Sequence, residues 1–68
     1  MNVKYFRDTD TALLEFSDAV IDETREISEN VYVDLDKDEN LVSMTIEHAA
    51  TVANLPQVNL EEIDASAA

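Results

Sequence analysis

Two short stretches near the middle of the chain alternate apolar and polar residues with a period of two, and that alternation limits the fold more than anything else in the sequence. Val31, Val33 and Leu35 alternate with Tyr32, Asp34 and Asp36, and Val42, Met44 and Ile46 alternate with Ser43, Thr45 and Glu47. Successive side chains of a strand point to opposite faces, so each stretch reads as a strand with one buried and one wet side. The polar run Lys37-Asp38-Glu39-Asn40 between them is a turn. The pair is therefore a β-hairpin whose two apolar triplets share one sheet face.

The N-terminal part repeats the arrangement. Val3 and Tyr5 begin a strand, Arg7 to Thr11 make a polar turn, and Ala12, Leu14 and Phe16 face one way while Leu13 and Glu15 face the other. Residues 17–30 join the two hairpins, with an extended edge segment expected over Thr24 to Ile27. After Glu47 the period breaks. His48-Ala49-Ala50-Thr51-Val52-Ala53 suits a short helix, because alanine is the best helix former. Pro56 ends it, since the residue before a proline avoids helical angles. The expected fold is α+β: an antiparallel β-meander of about four strands packed with one short C-terminal helix. The domain is expected to span 3–53, with 54–68 as an acidic, flexible tail. Glycine is absent, so turns needing positive φ must use other residues, and Asn30, Asn40 and Asp38 are the candidates.

A chain of 68 residues supports one domain and buries only roughly 60% of its unfolded surface. Domains this small usually need a disulfide, a metal or a second subunit. There is no cysteine and only one histidine, so disulfides, thiolate sites and His-based structural zinc are excluded. Oligomerisation is the remaining staple, and a homodimer is expected. Sixteen acidic against 4 basic residues give a net charge of −12. Lys4, Arg7, Arg25 and Lys37 are scattered, which argues against nucleic acid and against an anionic membrane surface. No apolar run approaches the roughly 18 residues of a membrane span. Absence of cysteine and of an apolar leader points to the cytoplasm. The acidity reads as a solvated surface, as adaptation to high salt, or as attraction to a basic protein partner.

Few groups could carry chemistry. Asp34, Asp36 and Asp38 alternate like the start of a calcium loop, but Glu39 stands where glycine is needed and Thr45 where a bidentate glutamate is needed. A hairpin with an acidic tip is the better reading. Asp8 and Asp10 flank a turn and are expected to accept backbone hydrogen bonds. His48 stands alone at an element boundary, without the partner set of nucleophilic catalysis. The chain is read as non-enzymatic, with no catalytic residue, no cofactor and no metal. Leu13, Tyr32 and Leu41 fall on the nominally wet face, where a contiguous apolar patch would mark an interface. A strand edge is a second candidate surface.

These segments resemble a family of small prokaryotic proteins known as domain of unknown function 2283. Its members begin with a tyrosine, a polar turn and Asp-x-Leu-Tyr-Ile. Tyr5-Phe6-Arg7-Asp8-Thr9-Asp10-Thr11-Ala12-Leu13-Leu14-Glu15-Phe16 occupies that place. Then come Glu23-Thr24-Arg25-Glu26-Ile27, Val31-Tyr32-Val33-Asp34-Leu35-Asp36, the strand Leu41-Val42-Ser43-Met44-Thr45-Ile46-Glu47, and His48-Ala49-Ala50. Ala12 replaces the family's leucine, Leu13 its frequent tyrosine, and the usual glycine of the second hairpin turn is missing. The resemblance covers residues 3–53. It implies a compact β-meander with a C-terminal helix, no known enzymatic activity, and an antitoxin-like role beside small toxin-like proteins.

The expected function is a small acidic protein-interaction module, antitoxin-like, neutralising a basic partner by charge while Leu55, Val58, Leu60 and Ile63 of the tail order on that partner. The alternative is a structural homodimer with no regulatory partner.

Overall fold

The computed structural model describes residues 1–64. Five strands form one antiparallel sheet: β1 (Asn2–Phe6), β2 (Thr11–Glu15), β3 (Glu23–Ser28), β4 (Val31–Leu35) and β5 (Leu41–Glu47). A single short helix, α1 (Ala49–Ala53), follows. The order across the sheet is β1-β2-β5-β4-β3. The expected antiparallel sheet and C-terminal helix are both present. The edge segment expected near Thr24 is a complete fifth strand, and β2 pairs with β1 and β5 rather than with β1 and β3. The segment between β2 and β3 therefore runs along one end of the sheet. Phe16 and Ser17 donate to the Val42 carbonyl, and Asp22 donates to that of Leu35. Leu35 and Val42 are buried at this end.

Residues directly opposite one another share a face, so the register sorts the side chains. On one face, Tyr5, Ala12, Ile46 and Val31 form a row across β1, β2, β5 and β4. The next row is Val3, Leu14, Met44, Val33 and Arg25. The other face carries Lys4, Leu13, Thr45, Tyr32 and Glu26 in one row and Asn2, Glu15, Ser43, Asp34 and Thr24 in another. The helix packs on the first face. Ala49 and Leu55 close with Ala12 and Ile46 into the core, and Tyr5, Leu14 and Met44 pack around it. Alanine at position 12 has a reason here: it is fully buried, and its small side chain leaves room for the helix above it.

Leu55, assigned by sequence to the flexible tail, belongs to this core at 9% exposure. Asn54 adopts the left-handed conformation (φ 56°) and turns the chain back. The Leu55 amide then donates to the Ala49 carbonyl, which delivers the leucine onto Ile46. The Leu55–Pro56 peptide is cis. Beyond it the chain leaves the core: Val58, Leu60 and Ile63 are 66%, 92% and 78% exposed. The end of the expected tail, 65–68, lies outside the described residues.

The positive-φ positions also differ from expectation. Asp10, Glu39, His48 and Asn54 take them, and Asn30, Asn40 and Asp38 do not. In the β4–β5 turn the cause is Asp36. Its carboxylate accepts the amides of Asp38 and Asn40 and the side-chain amide of Asn40, which leaves the reversal to Glu39.

Candidate functional site

Asp10 links the two ends of the fold. It sits in the β1–β2 turn, and its carbonyl accepts the Ala49 amide. Its Oδ1 accepts the Ala50 amide at 3.0 Å and the Tyr5 hydroxyl at 2.6 Å. His48, in the left-handed conformation, makes no side-chain cap, so Asp10 supplies from the opposite hairpin the acceptor that a helix N-terminus requires. The Tyr5 hydroxyl and then the Ala50 amide hold the Asp10 carboxyl below the usual aspartate range, with a smaller contribution from His48. The same hydrogen bond pushes Tyr5 above the usual tyrosine range. The sequence marked Asp10 as a turn residue with backbone partners. The backbone partner of its carboxylate, Ala50, lies 40 residues away, which spacing in sequence does not reveal.

The acidic hairpin is committed to its own geometry. The Asn40 amide, and then that of Asp38, hold the Asp36 carboxyl low. Asp34 accepts the hydroxyls of Thr24 at 2.5 Å and Ser43 at 2.6 Å, tying β3, β4 and β5 together along one row. Among the described residues no group of three metal-ligating side chains converges. His48 Nδ1 lies 2.9 Å from Asn30 Oδ1, so the imidazole joins the helix start to the β3–β4 turn. No described helix is long and apolar enough to cross a membrane.

The three expected wet-face residues do not form one patch. Leu13 and Tyr32 both flank Thr45, one from β2 and the other from β4. Leu41 lies opposite Leu35, four residues along β5 from Thr45, or roughly 13 Å. Leu13 and Tyr32 are half-buried and Leu41 is exposed. What the apolar pattern missed is the acidity around Tyr32. Glu26 stands directly opposite it on β3, and Glu47 follows Thr45 by two residues on β5, on the same face. The negative charge of Glu47, then burial, then Glu26 push the Tyr32 phenol up. An alternation rule counts Glu26 and Glu47 as solvent-facing and stops there. Val58 lies on the opposite side, where it borders a groove of about 300 Å³ lined also by Val3, Leu14, Ile46 and Leu55.

The charge is poorly neutralised. Lys4 pairs with Glu15 at 3.0 Å, and Arg25 pairs with Glu23 at 2.7 Å and Glu39 at 2.6 Å. All three pairs are exposed or nearly so and are worth little singly. With a net charge of −12, self-repulsion opposes the compact state. Raising salt to about 1 M shortens the screening length to about 3 Å. The expected result is a melting temperature higher by several degrees, followed by circular dichroism. A fall with salt would mean that the ion pairs outweigh the repulsion.

A family model described as a protein of unknown function (DUF2283) matches residues 2–49, which takes in all five strands. No curated protein and no solved structure matches the chain.

Proposed function

Because the chain belongs to the DUF2283 family, whose description assigns no activity, we propose from its surfaces that it is a non-catalytic module binding a basic, extended protein segment on the acidic face of its sheet. The placement of Tyr32 carries this reading. Its ring is half-buried on an open sheet face, with Glu26 directly opposite and Glu47 diagonally across. An aromatic face between two carboxylates suits a lysine or arginine side chain: the ring quadrupole attracts the cation while the carboxylates pair with it. Leu13, on the far side of Thr45, offers the next apolar contact along the same row. The remaining negative charge speeds association with a cationic partner. Neutralising a basic protein at its cationic site is the antitoxin-like form of this function.

Leu55 is taken by the core, so the tail's share of such a contact falls to Val58, Leu60 and Ile63. Val58 lies on the other face, and a partner using it together with Tyr32 has to wrap around an edge of the sheet.

The test uses a synthetic peptide alternating lysine and valine, titrated into labelled protein and followed by NMR. Shifts should concentrate at Leu13, Glu26, Tyr32 and Glu47. Changing Glu26 and Glu47 together to Gln should weaken binding by roughly tenfold, the loss of two exposed charge pairs. Shifts spread evenly over all carboxylates, or confined to the opposite face, would overturn the reading.

A further inference from the structure

Among the described residues β3 has a neighbouring strand on one side only. It ends the order β1-β2-β5-β4-β3, and all six of its residues are exposed. The phase of the hydrogen bonds shows which of its backbone groups look outward. The Glu47 amide donates to the Asn30 carbonyl, one step before the pair Val31 and Ile46. Bonded pairs alternate along an antiparallel ladder, so Tyr32 and Asp34 also turn their backbone groups to β5. Val33 and Leu35 turn theirs to β3, where they meet Arg25 and Glu23. The Asp22 amide, which donates to the Leu35 carbonyl, fits that phase. Thr24 and Glu26 are left with N–H and C=O groups aimed away from the sheet.

The same two residues carry their side chains on the Tyr32 face, opposite Asp34 and Tyr32. A residue added directly across from Glu26 would extend the row Leu13, Thr45, Tyr32 and Glu26. This edge is acidic. Asp22, Glu23, Glu26 and Glu29 lie in or beside β3 against Arg25 alone, and Arg25 is held by Glu23 and Glu39. The other edge, β1, has the opposite balance, with Lys4 and Arg7 and no carboxylate from Met1 to Arg7. A second copy pairing β3 to β3 would set carboxylates against carboxylates, which like-charge repulsion opposes. The bulge between Glu26 and Ser28 limits regular pairing to the stretch that ends at Glu26.

We infer that a basic, extended segment of the partner pairs antiparallel with β3 as a sixth strand, setting lysine or arginine opposite Thr24 and Glu26. This rests on the acidic-face reading and states how the partner is held there. Main-chain bonds to Thr24 and Glu26 supply affinity, and the alternate side chains supply selectivity. The cations face Glu26 first and Tyr32 beyond it. The residue between them falls on the other face, opposite Arg25, whose charge excludes a lysine there. The segment this edge selects therefore alternates basic and uncharged residues.

Three peptides alternating lysine and valine test this on the full chain: one unmodified, one N-methylated at every lysine, one N-methylated at every valine. In the inferred ladder the lysine amides point to β3 and the valine amides to solvent. Methylating the lysine amides should weaken binding at least about tenfold, because each methyl removes a donor and crowds the ladder. Methylating the valine amides should change it less than about twofold, since those amides pair with nothing. With the unmodified peptide bound, the Thr24 and Glu26 amides should exchange more slowly with deuterium. NOEs should join Arg25 Hα to a valine Hα, the close contact of a non-bonded pair. Equal effects of the two methylations overturn the inference, as does protection at Val3 and Tyr5 in place of Thr24 and Glu26. If the peptide then still shifts Glu26, Tyr32 and Glu47, the acidic-face reading survives. A peptide that binds nowhere on that face removes both.

Discussion

Ending the chain at Ala53 is expected to lower the melting temperature by roughly 10–20 °C, whereas ending it at Asn59 should change it little. The difference is Leu55. It is 9% exposed and closes the core with Ala12, Ile46 and Ala49. Removing a buried leucine costs roughly 2–4 kcal/mol, and in a domain of this size each kcal/mol moves the melting point by roughly 4–8 °C. The total stability of such a chain is only about 3–10 kcal/mol, so the loss is a large share of it. Truncation at Ala53 also removes Asn54, whose left-handed turn ends the helix. Leu55→Ala in the full chain separates the two effects and should reproduce most of the fall. Thermal denaturation of the three proteins decides the matter, and a 1–53 chain that melts with the full protein would place Leu55 outside the cooperative unit.

That boundary shows what sequence alone could tell. A proline after an alanine-rich stretch marks where a helix must stop, and it did stop there. It does not say that the residue before the proline folds back onto the sheet, because the deciding contact is with Ile46 and lies in tertiary space. The same division holds for the strands. β4 and β5 were legible from their alternation because each has one buried side. β3 was legible only as an edge segment: its six residues are all exposed, so nothing in Glu23 to Ser28 alternates, and pairing with β4 is what makes it a strand. Alternation assigns faces and not neighbours, so the insertion of β5 between β2 and β4 could not be read either. Tyr32 was singled out as an apolar residue on the wrong face. Its acidic neighbours became visible only once register set Glu26 and Glu47 beside it. Val33 and Met44 read as inward-facing and are only half-buried, since a period of two does not report how much of a face the helix can cover.

Removing the Asp10 carboxylate is expected to loosen the helix start from the first hairpin. One oxygen serves two donors, the Tyr5 hydroxyl and the Ala50 amide; His48 makes no side-chain cap, and the bond that would remain is the Ala49 amide to the Asp10 carbonyl. Asp10 also holds a positive φ of 54°, which aspartate and asparagine tolerate better than alanine does. The substitutions therefore rank. Asp10→Asn keeps an acceptor and the backbone tolerance and should be mildest. Asp10→Gly keeps only the backbone freedom, and Asp10→Ala loses both and should lower the melting temperature most, by roughly 5–10 °C. The pH dependence follows from the sign of the shift. The folded carboxyl titrates below its unfolded value of about 3.9, so its contribution is fully present above that value and is lost as pH falls through the lower folded one. Tyr5 works in the opposite sense: its folded value is raised, so its share persists up to about pH 10 and is lost as pH rises through the folded value. Asp36 and Glu23 are also held low, Asp36 by the Asn40 amide and Glu23 by Arg25. Wild-type protein and every Asp10 variant should therefore lose stability in acid, and the part due to Asp10 is the difference between their slopes from about pH 5 to about pH 2. A double-mutant cycle with Tyr5→Phe isolates the shared hydrogen bond. If Asp10→Ala and wild type lose stability in parallel across that range, the carboxylate is not what joins the hairpin to the helix.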